Sequence, residues 1–179
     1  VLAHRALGDE VGDGHVAPAD WYFPHSGTAT GLIYLQHGFL ADGSFYSSTA
    51  AYLTEKTNSI VVVPTLTWNV FDVEHYPLEL PSTGRAIADL FTGDRAALNA
   101  SAQAAGYVGV LPTKFVLVGH SAGGGLIAMV ARRLAELGNT GDLAGVVMLD
   151  GVGTLSPMTQ DLANIPDSVP VYNIAGEDS

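Results

Sequence analysis

The stretch FVLVGHSAGGGLIAMVARRL, Phe115 to Leu134, decides how the chain is read. An apolar, β-forming run leads into Gly119-His120-Ser121-Ala122-Gly123, and a run of helix formers leaves it. A strand that becomes a helix within two residues cramps the backbone of its corner residue, and side chains two positions to either side would collide there. Glycines at 119 and 123 relieve that collision. The corner then lifts the Ser121 hydroxyl clear of the sheet at a helix N-terminus, where the Ala122 amide points at any developing negative charge. A plain helix cap also suits this position, so both readings of Ser121 stand at this point.

Outward from the corner, short apolar bursts alternate with longer Ala/Leu-rich segments, a strand-helix rhythm. The predicted strands are Leu32 to Gln36, Ile60 to Pro64, Phe115 to Gly119, Gly145 to Leu149 and Val169 to Ala175. Most lack polar alternation, as strands do when helices cover both sheet faces. Helices are predicted over Phe45 to Lys56, Ser82 to Ala105 and Ser121 to Leu137, the last closed by Gly138. Pro157, Pro166 and Pro170 cut the interval after Leu149 into turns, and residues 1–31 have room for one or two antiparallel strands around Trp21 to Phe23. No repeat or linker divides the chain. The expected fold is α/β: one domain over residues 1–179, a three-layer α/β/α sandwich with a mainly parallel sheet.

Composition narrows the partners. The chain has 179 residues, 47% of them hydrophobic, enough for an ordinary core. Its 18 acidic against 7 basic side chains give a formal charge of -11, a surface that repels phosphate backbones and anionic lipid, so nucleic acid is not an expected partner. There is no cysteine, which removes disulfides, thiolate metal sites and the usual clue to compartment. No apolar run approaches the roughly 20 residues that cross a bilayer, and the first residues lack a signal-peptide pattern, so a soluble protein on either side of a membrane is expected. The histidines show no metal-ligand spacing, and no metal or cofactor is implied. Asn99-Ala100-Ser101 matches a glycosylation acceptor but sits in a helical stretch and reads as chance.

A nucleophilic serine needs a second amide donor facing the first, commonly at a neighbouring strand end. In LIYLQHGFLADGSFYS the chain turns at His37-Gly38 after its strand, and the Phe39 N–H can face the site. QHGF after one strand, GHSAGG after another and VVMLDGV after a third together resemble an α/β-hydrolase, nearest in character to the bacterial lipase, cutinase and chlorophyllase-like serine esterases. The resemblance covers roughly Leu32 to Ala175. It implies Ser121 as nucleophile and the backbone N–H groups of Phe39 and Ala122 as the oxyanion hole.

A catalytic triad also needs a carboxylate to orient its histidine. Asp150 directly follows the strand after the elbow helix, and Gly151 and Gly153 leave space beside it for an imidazole. Asp178, after the next strand, is the alternative; Gly-x-x-Asp is the usual form there, and Asp178 falls one residue early. The order in this fold is nucleophile, acid, base. All six histidines, 4, 15, 25, 37, 75 and 120, precede Ser121. The base is therefore expected outside this chain, on a C-terminal portion carrying a further strand and helix.

The segment 65–81 is too long for a plain connection and is expected to wall a pocket. His37, Gly38, Leu40, Trp68 and Phe71 are the expected substrate contacts, with Phe39, Phe45 and Tyr46 adding apolar character. A small-molecule or lipid-like ester is the expected substrate. A binding domain that keeps the elbow without turnover is the rival, and a nucleotide-binding domain a third possibility. Against the last, the loop at Gly151 lacks the later glycine of a dinucleotide site, and GHSAGGG lacks the lysine of a phosphate loop.

Overall fold

Ile60 to Val63 and Leu32 to Leu35 are buried without interruption. Alternate side chains of a strand go to opposite faces, so continuous burial means that both faces of these strands are covered. The computed structural model describes residues 2–10, 16–72, 75–153 and 157–176. Its strands are β1 (Leu2–Glu10), β2 (Val16–Phe23), β3 (Gly31–Gln36), β4 (Ser59–Pro64), β5 (Phe115–His120), β6 (Leu143–Leu149) and β7 (Val171–Ile174). They form a seven-stranded sheet in the order β1-β2-β4-β3-β5-β6-β7. β1 and β2 make an antiparallel hairpin, β2 meets β4 antiparallel, and every pairing from β4 to β7 is parallel.

The helices are α1 (Ser47–Thr57), α2 (Pro81–Asp89), α3 (Ala96–Ala104), α4 (Ala122–Glu136) and α5 (Met158–Ala163). One face of the sheet, through Trp21, Leu32, Tyr34, Ile60 and Val62, packs with α2, α3 and α4, and Met158 and Leu162 of α5 close over the same cluster. The other face, through Ile33, Leu35, Val61 and Val63, packs on α1. The sandwich is thus uneven. Beside α1 the sheet carries an apolar cleft of about 510 Å³ whose walls include Leu53, Val116, Val147 and Ile174.

Two helix expectations are corrected. The stretch Ser82 to Ala105 is two helices, because Gly93 (φ 57°) and Arg95 (φ 55°) both turn left-handed and no right-handed helix runs through such residues. The interval after Leu149 is more than turns: α5 starts directly after Pro157, a place where the missing proline N–H costs no helical bond. Asn99 and Ser101 are structural. Asn99 Oδ1 accepts from the Leu111 N–H, and the buried Ser101 hydroxyl accepts from Trp21 Nε1 at 3.0 Å. Among the described residues no helix is long and apolar enough to cross a membrane.

Candidate active site

Ser121 stands between β5 and α4 with φ 53° and ψ -121°. A non-glycine residue held there is strained by about 1–3 kcal/mol, so its surroundings must impose the conformation. Three hydrogen bonds do so. The Ser121 N–H donates to Leu149 O at 2.9 Å, and its carbonyl accepts from Gly124 N at 2.8 Å and Val152 N at 3.1 Å. The flanking glycines are required by contact: a Cβ on Gly119 would strike the Gly123 carbonyl oxygen, and one on Gly123 would lie 2.5 Å from His37 O and 2.6 Å from Gln36 O. The Ser121 side chain caps nothing. Ser121 thus holds the N-cap position of α4 without a side-chain capping bond, and the residue is half-buried at the corner.

Opposite the corner, β3 ends in His37-Gly38-Phe39. A Cβ on Gly38 would sit 3.1 Å from Ser121 Cβ and 3.1 Å from His120 O, so this turn lies directly against the elbow. His37 is fully buried; its Nε2 accepts from the Leu66 N–H at 2.9 Å, which puts the ring proton on Nδ1, and Nδ1 donates to Gly38 O at 2.8 Å. Because a trans peptide is planar, fixing the Gly38 carbonyl turns the Phe39 N–H the opposite way. Among the described residues neither the Phe39 nor the Ala122 N–H has a hydrogen-bond partner. Such open donors suit a developing oxyanion.

Asp150 follows β6 in the left-handed region (φ 48°), a conformation that Asp tolerates better than most residues. Its N–H donates to Ile174 O at 2.8 Å, and its Oδ1 accepts from the Gly176 N–H at 2.7 Å. Among the described residues the second carboxylate oxygen has no hydrogen-bond partner, and Asp150 stands one residue beyond the Leu149 carbonyl that holds Ser121. The alternative acid, Asp178, lies outside the described residues.

No protein-family model matches the chain. No curated protein matches its sequence either. Solved structures do. A poly(3-hydroxybutyrate) depolymerase from Bordetella parapertussis superposes with a TM-score of 0.60 at 19% identity, covering 99% of this chain and 67% of its own. Carboxyl esterase 2 from the mycorrhizal fungus Tuber melanosporum gives 0.59 at 16% identity, over 84% of this chain and 45% of its own. A hyperthermophilic esterase from the archaeon Pyrobaculum calidifontis gives 0.57 at 16% identity, over 84% and 44%. The fold is that of the α/β-hydrolases. The chain spans 44–67% of the length of these structures.

On the α/β-hydrolase scaffold the expected substrate contacts separate. Leu40 and Trp68 line an open cleft of about 470 Å³ together with Asp42, Thr65, Asp72 and His75. The Trp68 ring packs edge-on against Phe39 at 5.4 Å, which links this cleft to the turn beside Ser121. Phe71, 89% exposed, is not part of the cleft wall, and Gly38 is buried under the elbow. His37 as a substrate contact is corrected: burial and two backbone partners make it the support of the turn. Of the other described histidine side chains, His25 meets Glu55, His75 meets Asp72 and His120 meets Tyr46. Tyr46, read from the sequence only as apolar wall, carries a tie developed below; its partners stand 8 and 74 residues away, beyond the reach of any local pattern.

Burial lowers the His37 pKa from its ordinary value, outweighing the bonds to Gly38 and Leu66 and the charge of Asp42. The unfolded chain, in which histidine titrates near about 6.5, then binds a proton that the folded chain refuses, so stability falls as pH drops below that value. At full effect the slope is about 1.4 kcal/mol per pH unit. Denaturant titrations between pH 5 and 8 are expected to show this loss in the wild type and a flatter profile in His37→Asn; equal slopes would assign the acid lability elsewhere.

Proposed function

We propose that the protein is a serine hydrolase of carboxylic esters. Ser121 Oγ bonds to the ester carbonyl carbon, its proton passes to a histidine, and the carbonyl oxygen becomes an alkoxide facing the amides of Phe39 and Ala122. Collapse breaks the bond to the leaving alcohol, which takes the proton. Water then attacks the acyl-serine by the same route and releases the acid. Asp150 orients the histidine; the described histidine side chains, His25, His37, His75 and His120, each have another partner.

The observation that carries this reading is the strained, uncapped Ser121 beside two open amides. Esterase and depolymerase relatives of the fold support it as analogy. For the substrate, the half-exposed Phe39 and Trp68 rings with Leu40, on a chain of net charge -11, favour a neutral apolar ester over an anionic one. Thr65, Leu66, Thr67, Asp72 and His75 form part of that wall beside Trp68. Incubating the protein with a fluorophosphonate and a chromogenic ester tests the reading. Turnover, with the label mapped to Ser121, is expected; an inert, unlabelled but folded protein would make this a binding domain.

A further inference from the structure

The two turns that carry the open amides belong to different strands and need something to hold them in register. We propose that Tyr46 is a positioning residue that locks the Phe39 turn to the Ser121 elbow, an inference that rests on the hydrolase reading. Tyr46 closes a short helical turn, Gly43–Tyr46, just before α1. Its hydroxyl lies 3.2 Å from Gly38 N and 2.7 Å from His120 Nδ1. A backbone N–H can only donate, so the phenol oxygen accepts from Gly38, and the same hydroxyl is hydrogen-bonded to His120 Nδ1 in the direction that the imidazole tautomer sets. The Tyr46 and His120 rings also lean together, centroids 5.8 Å apart.

One hydroxyl thereby spans the seam between Gly38, which precedes the Phe39 amide, and His120, which precedes Ser121. Together with His37 it fixes Gly38 at both ends: Tyr46 holds the N–H and His37 the carbonyl. The ring itself reaches no open amide, and its effect passes through the turn. Oxyanion donors act only within about 2.7–3.1 Å of the forming alkoxide, and a misplacement near 1 Å costs on the order of 100-fold in rate. The ground-state ester, bound through the apolar wall, is far less sensitive to that distance.

Tyr46→Phe removes the tie and keeps the ring. The expected result is a kcat about 10- to 100-fold lower with KM within about twofold. Affinity for a boronic acid, which mimics the tetrahedral state, is expected to fall in step with kcat/KM, and the His120 Nδ1 nitrogen resonance to shift as its hydroxyl partner is lost. Should Tyr46→Phe fail to fold, His120→Leu removes the other end of the tie instead and is expected to give the same kcat-against-KM split. Wild type that is labelled at Ser121 and turns over, beside a Tyr46→Phe enzyme with unchanged kcat or with losses confined to KM, overturns the proposal alone. A wild-type protein that is neither labelled nor active overturns the hydrolase reading and the tie's catalytic role with it.

Discussion

Asp150→Asn is expected to lower kcat on the order of 10,000-fold while leaving KM and thermal stability near their wild-type values. The substitution is clean because of where Asp150 sits. At φ 48° the backbone is left-handed, and Asn tolerates that region as well as Asp does. The side-chain oxygen of Asn still accepts the Gly176 N–H that Asp150 Oδ1 now holds at 2.7 Å, so the link between β6 and the chain after β7 survives. What disappears is the negative charge that would hold a histidine in the correct tautomer and stabilise its imidazolium. Circular dichroism and a melting curve establish that the fold is intact; ester turnover then reads the charge. If Asp150→Asn retains activity within about tenfold and Asp178→Asn abolishes it, the acid belongs to the later strand end and the geometry at Asp150 is structural.

The same residues show how far the sequence reaches. The strands flanking the site were legible because FVLVG, LIYLQ and IVVVP are apolar runs too short for helices and bounded by turn formers, and a parallel sheet demands that pattern. The elbow was legible because its chemistry is local: Gly119, Ser121 and Gly123 meet one another across a single tight bend. The helix break at Gly93 and Arg95 was not, since an Ala-rich run around it scores as continuous helix and only tertiary packing sets the left-handed turn. Nor were the duties of His37 and Tyr46. His37 reads as a turn residue until the Leu66 amide, 29 positions on, is brought to its Nε2. Phe71 is 89% exposed and is not among the residues that line the cleft at Leu40 and Trp68. Loop side chains are directed by loop folding, which hydrophobic periodicity does not encode.

Gly123→Ala is expected to be strongly damaging for so small a substitution. The added methyl would enter a space 2.5 Å from His37 O and 2.6 Å from Gln36 O, and both are backbone atoms at the end of a central strand rather than side chains able to rotate away. Overpacking a rigid site costs typically 1–3 kcal/mol, and contact with backbone on this scale places the cost at about 3 kcal/mol or above. For a chain of this size that is a melting-temperature loss of about 6–12 °C. The loss would not be confined to stability. Relief of the clash must push β3's end away from α4, and that movement separates the Phe39 turn from Ser121, so fluorophosphonate labelling is expected to slow even in the fraction that stays folded. Gly141→Ala, where a Cβ meets nothing within 4 Å, is the matched control and is expected to change neither. A Gly123→Ala protein that melts within a degree or so of wild type and labels at the wild-type rate would mean that helix α4 and the β3 turn are not pressed together, and the account of the elbow would have to be abandoned.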